Sequence, residues 1–320
     1  MLQIVRDRTP LTEKLIDEVN KHAREVASSL LDILSRSSPL YVTYAGASYA
    51  IAAARTFYWI VKQLTNTPIY MDSLDSFIYH VVAYRDEKPS LLAFVEPGGE
   101  NIVGRLGELA GIFNVDAAVV TPPIPPPLKP RLESKLIAME YSGRRPALFY
   151  VILAAVLGAE MVKRSGVSGR RSARLEDELS NIASTYDELV RRYKEPISAI
   201  AKKAKELATA DKMRSTIEFY GTPTMLPAAI IFHSYTCEVA ASNYGEISAL
   251  FSKLAAGPLK SSMLVVLLAT GVESDLIREA KFKLTATGKA DFIEVIINTD
   301  PLSAPIYGTI LAESFYDALH

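Results

Sequence analysis

One cysteine, Cys237, and two glutamines, Gln3 and Gln63, are all that this 320-residue chain has of those residue types. A single cysteine excludes an intrachain disulfide and fits a reducing compartment. No base adjoins Cys237 in sequence, so the expectation is a small hydrophobe on the buried face of a helix rather than a nucleophile. Basic runs stop at two residues and the formal net charge is -1, which removes the electrostatic footprint of a nucleic-acid binder. The longest charge-free apolar stretch, Pro146 to Ala159, is shorter than the roughly 20 residues that span a bilayer. The N-terminus carries charge where a signal peptide would have an apolar core. These absences lead to the expectation of a soluble, cytoplasmic protein with neither a nucleic-acid nor a membrane partner. No spacing of His, Cys, Asp or Glu matches a metal site, and no Gly-x-Gly-x-x-Gly follows the first strand, so no metal and no cofactor is expected. Scarce Gln and Cys beside 18 Pro and 16 Tyr suit a thermophile.

What the chain does have is one α/β pattern written twice. The β-branched run Leu40 to Ala45 breaks at Gly46-Ala47-Ser48 and enters an apolar helix, and Ser215 to Tyr220 breaks at Gly221-Thr222 and does the same. Gly46 and Gly221 are 175 residues apart. Leu91 to Val95 runs into Gly98-Gly99-Glu100 as Leu264 to Leu268 runs into Gly271-Val272-Glu273, with 172 residues between Gly99 and Gly271. A third pair, Val115 to Val120 and Asp291 to Ile297, keeps nearly the same spacing. With 49% hydrophobic residues the chain can bury two cores of ordinary size. The expected fold class is α/β, two similar three-layer domains with mainly parallel central sheets and flanking helices, with function where the copies meet.

Apolar periodicity predicts a helix over 11–34, then helices over 47–65 and 147–163, with strands at 68–71, 91–95, 115–120 and 135–141 between them. The proline-rich segment 121–130 reads as a stiff loop over the sheet edge. Residues 165–172 are small, polar and basic, the most linker-like stretch, which places the domains at 1–165 and 166–320. Beyond it lies a charged helical stretch over 173–208 that Pro196 is expected to break in two. Strands near 215, 263 and 292 and a helix over 303–319 complete the second copy.

In an open parallel sheet, ligands bind beyond the carboxyl ends of the strands, where glycine turns let amides at helix N-termini face an anion. Gly46-Ala47-Ser48, Glu96 to Asn101, Ser142 to Pro146 and Gly221-Thr222 occupy that edge. In these segments and in its doubled layout the chain resembles the sugar isomerase (SIS) domain superfamily in its double-domain form. The isomerase half of glucosamine-6-phosphate synthase and the archaeal phosphoglucose/phosphomannose isomerases are the members closest in layout. Gly46-Ala47-Ser48-Tyr49 is similar to the family's first Gly-x-Ser turn. Glu96 to Asn101 falls at its Ser-x-Ser-Gly-x-Thr phosphate loop, and Gly143 to Leu148 resembles a Pro-Arg-Ala-Ala-Leu segment whose arginine faces substrate.

The resemblance implies an aldose-ketose isomerase of sugar phosphates, acting as a homodimer. Glu238, Glu246 and Arg144 would be its catalytic residues. Gly46, Ala47, Ser48, Gly98, Gly99, Glu100, Asn101, Arg145 and Thr222 would hold the sugar or sugar-phosphate ligand. Several positions depart from the family. Glu96 and Gly98 replace the two serines of the phosphate loop and Asn101 its threonine, so a phosphate there would meet Glu96 and Glu100, with only the Gly98 and Gly99 amides left to receive it. Arg144 or Arg145 would restore positive charge, and Lys260 after Gly257-Pro258 is a further cation. The family histidine is absent, so His233, His80, His320 or Glu246 would have to assist Glu238. A non-catalytic binder of carbohydrate derivatives and an amino-sugar phosphate deaminase are the alternative readings.

Overall fold

Apolar side chains at the helical period make α1 (Glu13–Leu34), and its Val19, Ala23, Val26 and Leu30 are buried. The computed structural model describes residues 9–36, 38–84, 88–132, 136–209, 216–257, 259, 263–287 and 290–320. Two compact units emerge, one of residues Asp17–Ser180 and one of residues 9–16 together with 181–320.

In the first unit, β1 (Leu40–Ala45), α2 (Tyr49–Leu64) and β2 (Ile69–Ser73) lead into a short α3 (Leu74–Ser76) and a π-helical turn, Phe77–Val81. Then come β3 (Ser90–Val95), α4 (Glu100–Phe113), β4 (Asp116–Thr121), a 3-10 turn at Pro126–Arg131 and β5 (Leu136–Glu140). The unit ends with α5 (Pro146–Arg164) and α6 (Arg170–Ser180). All pairings are parallel, in the order β2-β1-β3-β4-β5. Strand β3 is buried along its whole length, as a strand covered by helices on both faces must be. Tyr41, Leu91, Ala93, Val103, Leu106, Val119 and Phe77 form the core on one side of the sheet. On the other lie α2 and α5, the latter buried all round. Among the described residues α5 is the one helix long and apolar enough to cross a membrane, and 83% of its most apolar window is buried in the protein.

The helix α6, which the linker reading assigned beyond the boundary, packs on the first unit. Leu175 and Leu179 are buried, the Leu179 carbonyl accepts a bond from Asn20 Nδ2 at 2.9 Å, and Glu176 pairs with Lys163 at 2.5 Å. The chain passes to the second unit only after Ser180.

The second unit holds α7 (Tyr186–Thr209), β6 (Thr216–Gly221), α8 (Leu226–Thr236), β7 (Ser242–Glu246) and α9 (Ile247–Ala256). It continues with β8 (Met263–Thr270), α10 (Ser274–Thr287), β9 (Asp291–Ile297) and α11 (Ala304–Leu319). Its sheet is again all parallel, in the order β7-β6-β8-β9. That is the order of the first sheet without its fifth strand. Residues 9–16 are tied in where Asp317 accepts the Leu11 amide at 2.9 Å and Tyr186 donates to the Leu11 carbonyl at 2.8 Å.

One expectation is corrected here, and one element was not anticipated. Pro196 does not break its helix: α7 runs through it, because Tyr193, Ile197, Ile200, Ala201 and Ala204 make one buried stripe that continues across the proline. The interruption falls earlier, at 181–185. The polar segment Ser242–Glu246 forms an edge strand, β7, that hydrophobic patterning did not single out.

Candidate functional site

In each sheet the connections leave the first strand in opposite directions, so the crevice between β1 and β3, and between β6 and β8, is a topological switch point. In the first unit, Gly46-Ala47-Ser48 leaves β1 and Glu96 to Gly99 leaves β3 on the same edge. The Glu96 carboxylate crosses this crevice. Its Oε1 accepts the amides of Ser48 at 2.9 Å and Ala50 at 2.7 Å, and its Oε2 accepts the amide of Ala47 at 3.2 Å. Those donors open α2, so the side chain sits where a helix N-terminus would receive an anion. Burial raises the Glu96 carboxyl above its ordinary value, and the Ala50, Ser48 and Ala47 amides pull the other way. Gly46 has φ 138°, and a Cβ there would lie 2.5 Å from Glu96 Cδ, so both the backbone and the carboxylate require glycine.

The neighbouring turn is closed in the same way. Glu100 Oε2 accepts the Gly98 amide at 2.9 Å and the Glu96 carbonyl accepts the Gly99 amide at 3.0 Å. The two amides expected to face a ligand are thus engaged by the chain itself. Asn101 is exposed on the first turn of α4. Tyr150 donates to the Val95 carbonyl at 2.8 Å, and burial pushes its hydroxyl well up, with Tyr49, Glu96, Tyr141 and Glu100 adding to the effect.

The two arginines before α5 part company. Arg145 caps the helix in the left-handed region, φ 52°, and is buried, whereas Arg144 is exposed and its carbonyl accepts the Tyr141 hydroxyl at 2.5 Å. Tyr141 in turn stacks on Phe149 with ring centres 3.7 Å apart.

At the second switch point Gly221 makes the tight turn, since a Cβ there would meet the Leu226 amide at 2.6 Å. Thr222, expected to hold the ligand, is fully buried. Its hydroxyl donates to Glu273 Oε2 at 2.5 Å. The same oxygen accepts the hydroxyls of Thr224 and, at 2.8 Å, Thr270, together with the Thr270 amide at 3.3 Å. The sequence hint was there in part: Thr270 and Glu273 have the spacing of a capping box. Nothing local signalled the reach of Glu273 across to the β6 turn.

Glu238 lies in the turn after α8, partly exposed, with its Oε2 3.8 Å from His320 Nε2. The His320 ring packs on Tyr316 at 4.6 Å between centres. Glu246 ends β7, beside Gly221 in the sheet register, and caps α9. Glu238 and Glu246 are therefore not gathered on one edge, because Thr222 and Glu238 stand at opposite ends of α8, about 16 Å of helix apart. Of the other histidines, His80 is exposed. His233 lies 3.1 Å from Ser242 Oγ and 3.5 Å from Cys237 Sγ, with burial lowering its pKa. Cys237 is exposed at the end of α8, not on a buried face, and burial of the thiol still raises its pKa, so the two are neutral neighbours. Lys260 and Pro258 lie outside the described residues. Among the described residues no group of three or more His, Cys, Asp or Glu is placed to hold a metal ion.

No family model matches the chain, and no curated protein does. Solved structures do match it in fold. The C-terminal domain of glucosamine-fructose-6-phosphate aminotransferase from Francisella tularensis superposes with a TM-score of 0.71 at 13% identity, over 96% of this chain and 95% of that one. Glucosamine-6-phosphate deaminase from Thermotoga maritima gives 0.62 at 13% identity, over 96% and 93%. Tagatose-6-phosphate ketose/aldose isomerase from Escherichia coli gives 0.59 at 12% identity, over 98% and 95%. The chain thus has the α/β, parallel-sheet fold of the SIS type.

Proposed function

We propose that the protein is a doubled SIS-type protein that takes a carbohydrate derivative, and that its chemistry is aldose-ketose isomerisation of the phosphoglucose/phosphomannose isomerase kind, carried out by a homodimer. The observation that carries the reading is the Glu238–His320 pair at 3.8 Å: a carboxylate and an imidazole, both partly open to solvent. Glu238 takes the proton from C2 of an open-chain aldose and returns it to C1, while a proton moves from the C2 hydroxyl to the C1 oxygen through the enediol. His320, beside the carboxylate, supplies the second acid–base group, the part left open by the missing family histidine. Within the first unit, Arg144 is exposed and Arg145 buried, so of the two arginines Arg144 is the one open to a ligand. The three proteins that share the fold are named for fructose, glucosamine and tagatose 6-phosphates, which supports a carbohydrate derivative as the ligand.

The test is glucose–fructose and mannose–fructose interconversion, assayed with and without 6-phosphates. Glu238→Gln should lower kcat by about 100-fold or more, and His320→Ala should lower it less. Turnover unchanged in Glu238→Gln would refute the mechanism. A second reading, binding without catalysis, is favoured by the Glu96 carboxylate seated on the α2 amides. It predicts ligand-induced stabilisation with no interconversion in the same assay.

A further inference from the structure

Both switch points of this protein are filled by a carboxylate of the protein itself, and the two carboxylates come from different sequence positions. In the first unit it is Glu96, the residue directly after β3; in the second it is Glu273, three residues beyond the end of β8. Each reaches from the loop after the third strand to the loop after the first. One takes three amides at the start of α2, the other the hydroxyls of Thr222, Thr224 and Thr270. Different residues arriving at one place in two copies of a fold mark a constraint on the place.

We propose that Glu96 and Glu273 are specificity-determining residues: internal anions that occupy the two anion-receiving turns and so restrict the protein to carbohydrate derivatives that present no phosphate there. The backbone around them is shaped to keep them in place. Gly46 leaves room for the Glu96 carboxylate at a distance no side chain permits, and Ser48, at the start of α2, is buried. A phosphate entering the first turn would have to displace Glu96 from three amides or share them with it, and two like charges a few ångströms apart near a protein surface repel by several kcal/mol. The adjoining turn offers no refuge, since Glu100 and the Glu96 carbonyl engage the Gly98 and Gly99 amides. In the second unit the four donors converge on one Glu273 oxygen with Thr222 and Thr270 fully buried, so there the carboxylate is part of the packing as well. The proposal leans on the carbohydrate reading only to name the ligand; the exclusion of phosphate is a property of the turns.

Inorganic phosphate is the probe, read by calorimetric titration and by the amide resonances of Ala47, Ser48 and Ala50 in the full chain. The wild type should show no saturable phosphate binding and no movement of those resonances. Glu96→Ala should bind phosphate at least about tenfold more tightly than the wild type, with the three resonances moving. Glu96→Gln, which keeps the shape and removes the charge, should fall between them, and it serves if the alanine variant does not fold. Saturable phosphate binding by the wild type that moves these amides would overturn the proposal, as would a folded, uncharged variant that binds phosphate no better. Because the readout is phosphate at named amides, failure of the isomerase assay leaves this result standing, and the reverse.

Discussion

In Glu96 burial and charge are opposed. Its carboxyl is raised above the ordinary value of 4.5 by desolvation, despite three amide bonds that favour the ionised form. An acid with a raised folded-state pKa holds its proton more tightly in the native than in the unfolded chain. Its contribution to stability is therefore fully present below pH 4.5 and is lost as pH rises through the folded-state value. Unfolding free energy measured across that window should fall with pH in the wild type, and Glu96→Gln should flatten that part of the profile. An unchanged slope would mean that Glu96 does not titrate as its surroundings dictate. From sequence, Glu96 stood out only as a charge misplaced in a phosphate loop. Its true position depends on Ala47, Ser48 and Ala50, nearly fifty residues earlier, which no local pattern encodes.

At the scale of elements, α2 packs closely on α5 in the first unit. Gly158 lies where a Cβ would approach Ile60 Cγ2 at 2.8 Å. Gly158→Leu should cost about 2–3 kcal/mol through overpacking, seen as a lowered denaturation midpoint with an unchanged slope. If the midpoint holds, the two helices are looser than their geometry states. The long elements were legible from their patterns: α1, α2, α5 and α11 follow runs of apolar residues, β1, β4 and β8 carry β-branched residues, and β3 is a short apolar run ending in glycines. Two elements were not. Strand β7 is polar because it is an edge, and α7 keeps its course through Pro196 because packing on both sides of the proline outweighs a local break. Likewise His320 was visible as a candidate, but only the folding of α11 brings it to Glu238.

At the scale of the whole molecule, the repeat read from glycine turns corresponds to two sheets with the same strand order, the first extended by β5. Each has a core of its own. A chain limited to residues 17–180 should therefore unfold in one cooperative thermal transition, followed by circular dichroism. By contrast, 181–320 alone should be destabilised by loss of the bonds that Asp317 and Tyr186 make to Leu11. A fragment 17–180 that lacks a transition would show that the first core is incomplete without the rest. The exchange of residues 9–16 to the second unit escaped the sequence reading because a helix, α1, runs on past the point where allegiance changes.

The closeness of Gly46 to Glu96 has a consequence for how the protein can change over generations. A methyl group at position 46 collides with the Glu96 carboxylate and also with its Cβ, 2.7 Å away, so shortening Glu96 relieves only part of the collision and the cost of φ 138° remains as well. The two positions are thus coupled in inheritance. A lineage that regains an open turn must alter position 96 first, and glycine at 46 is the fossil that would outlast the change.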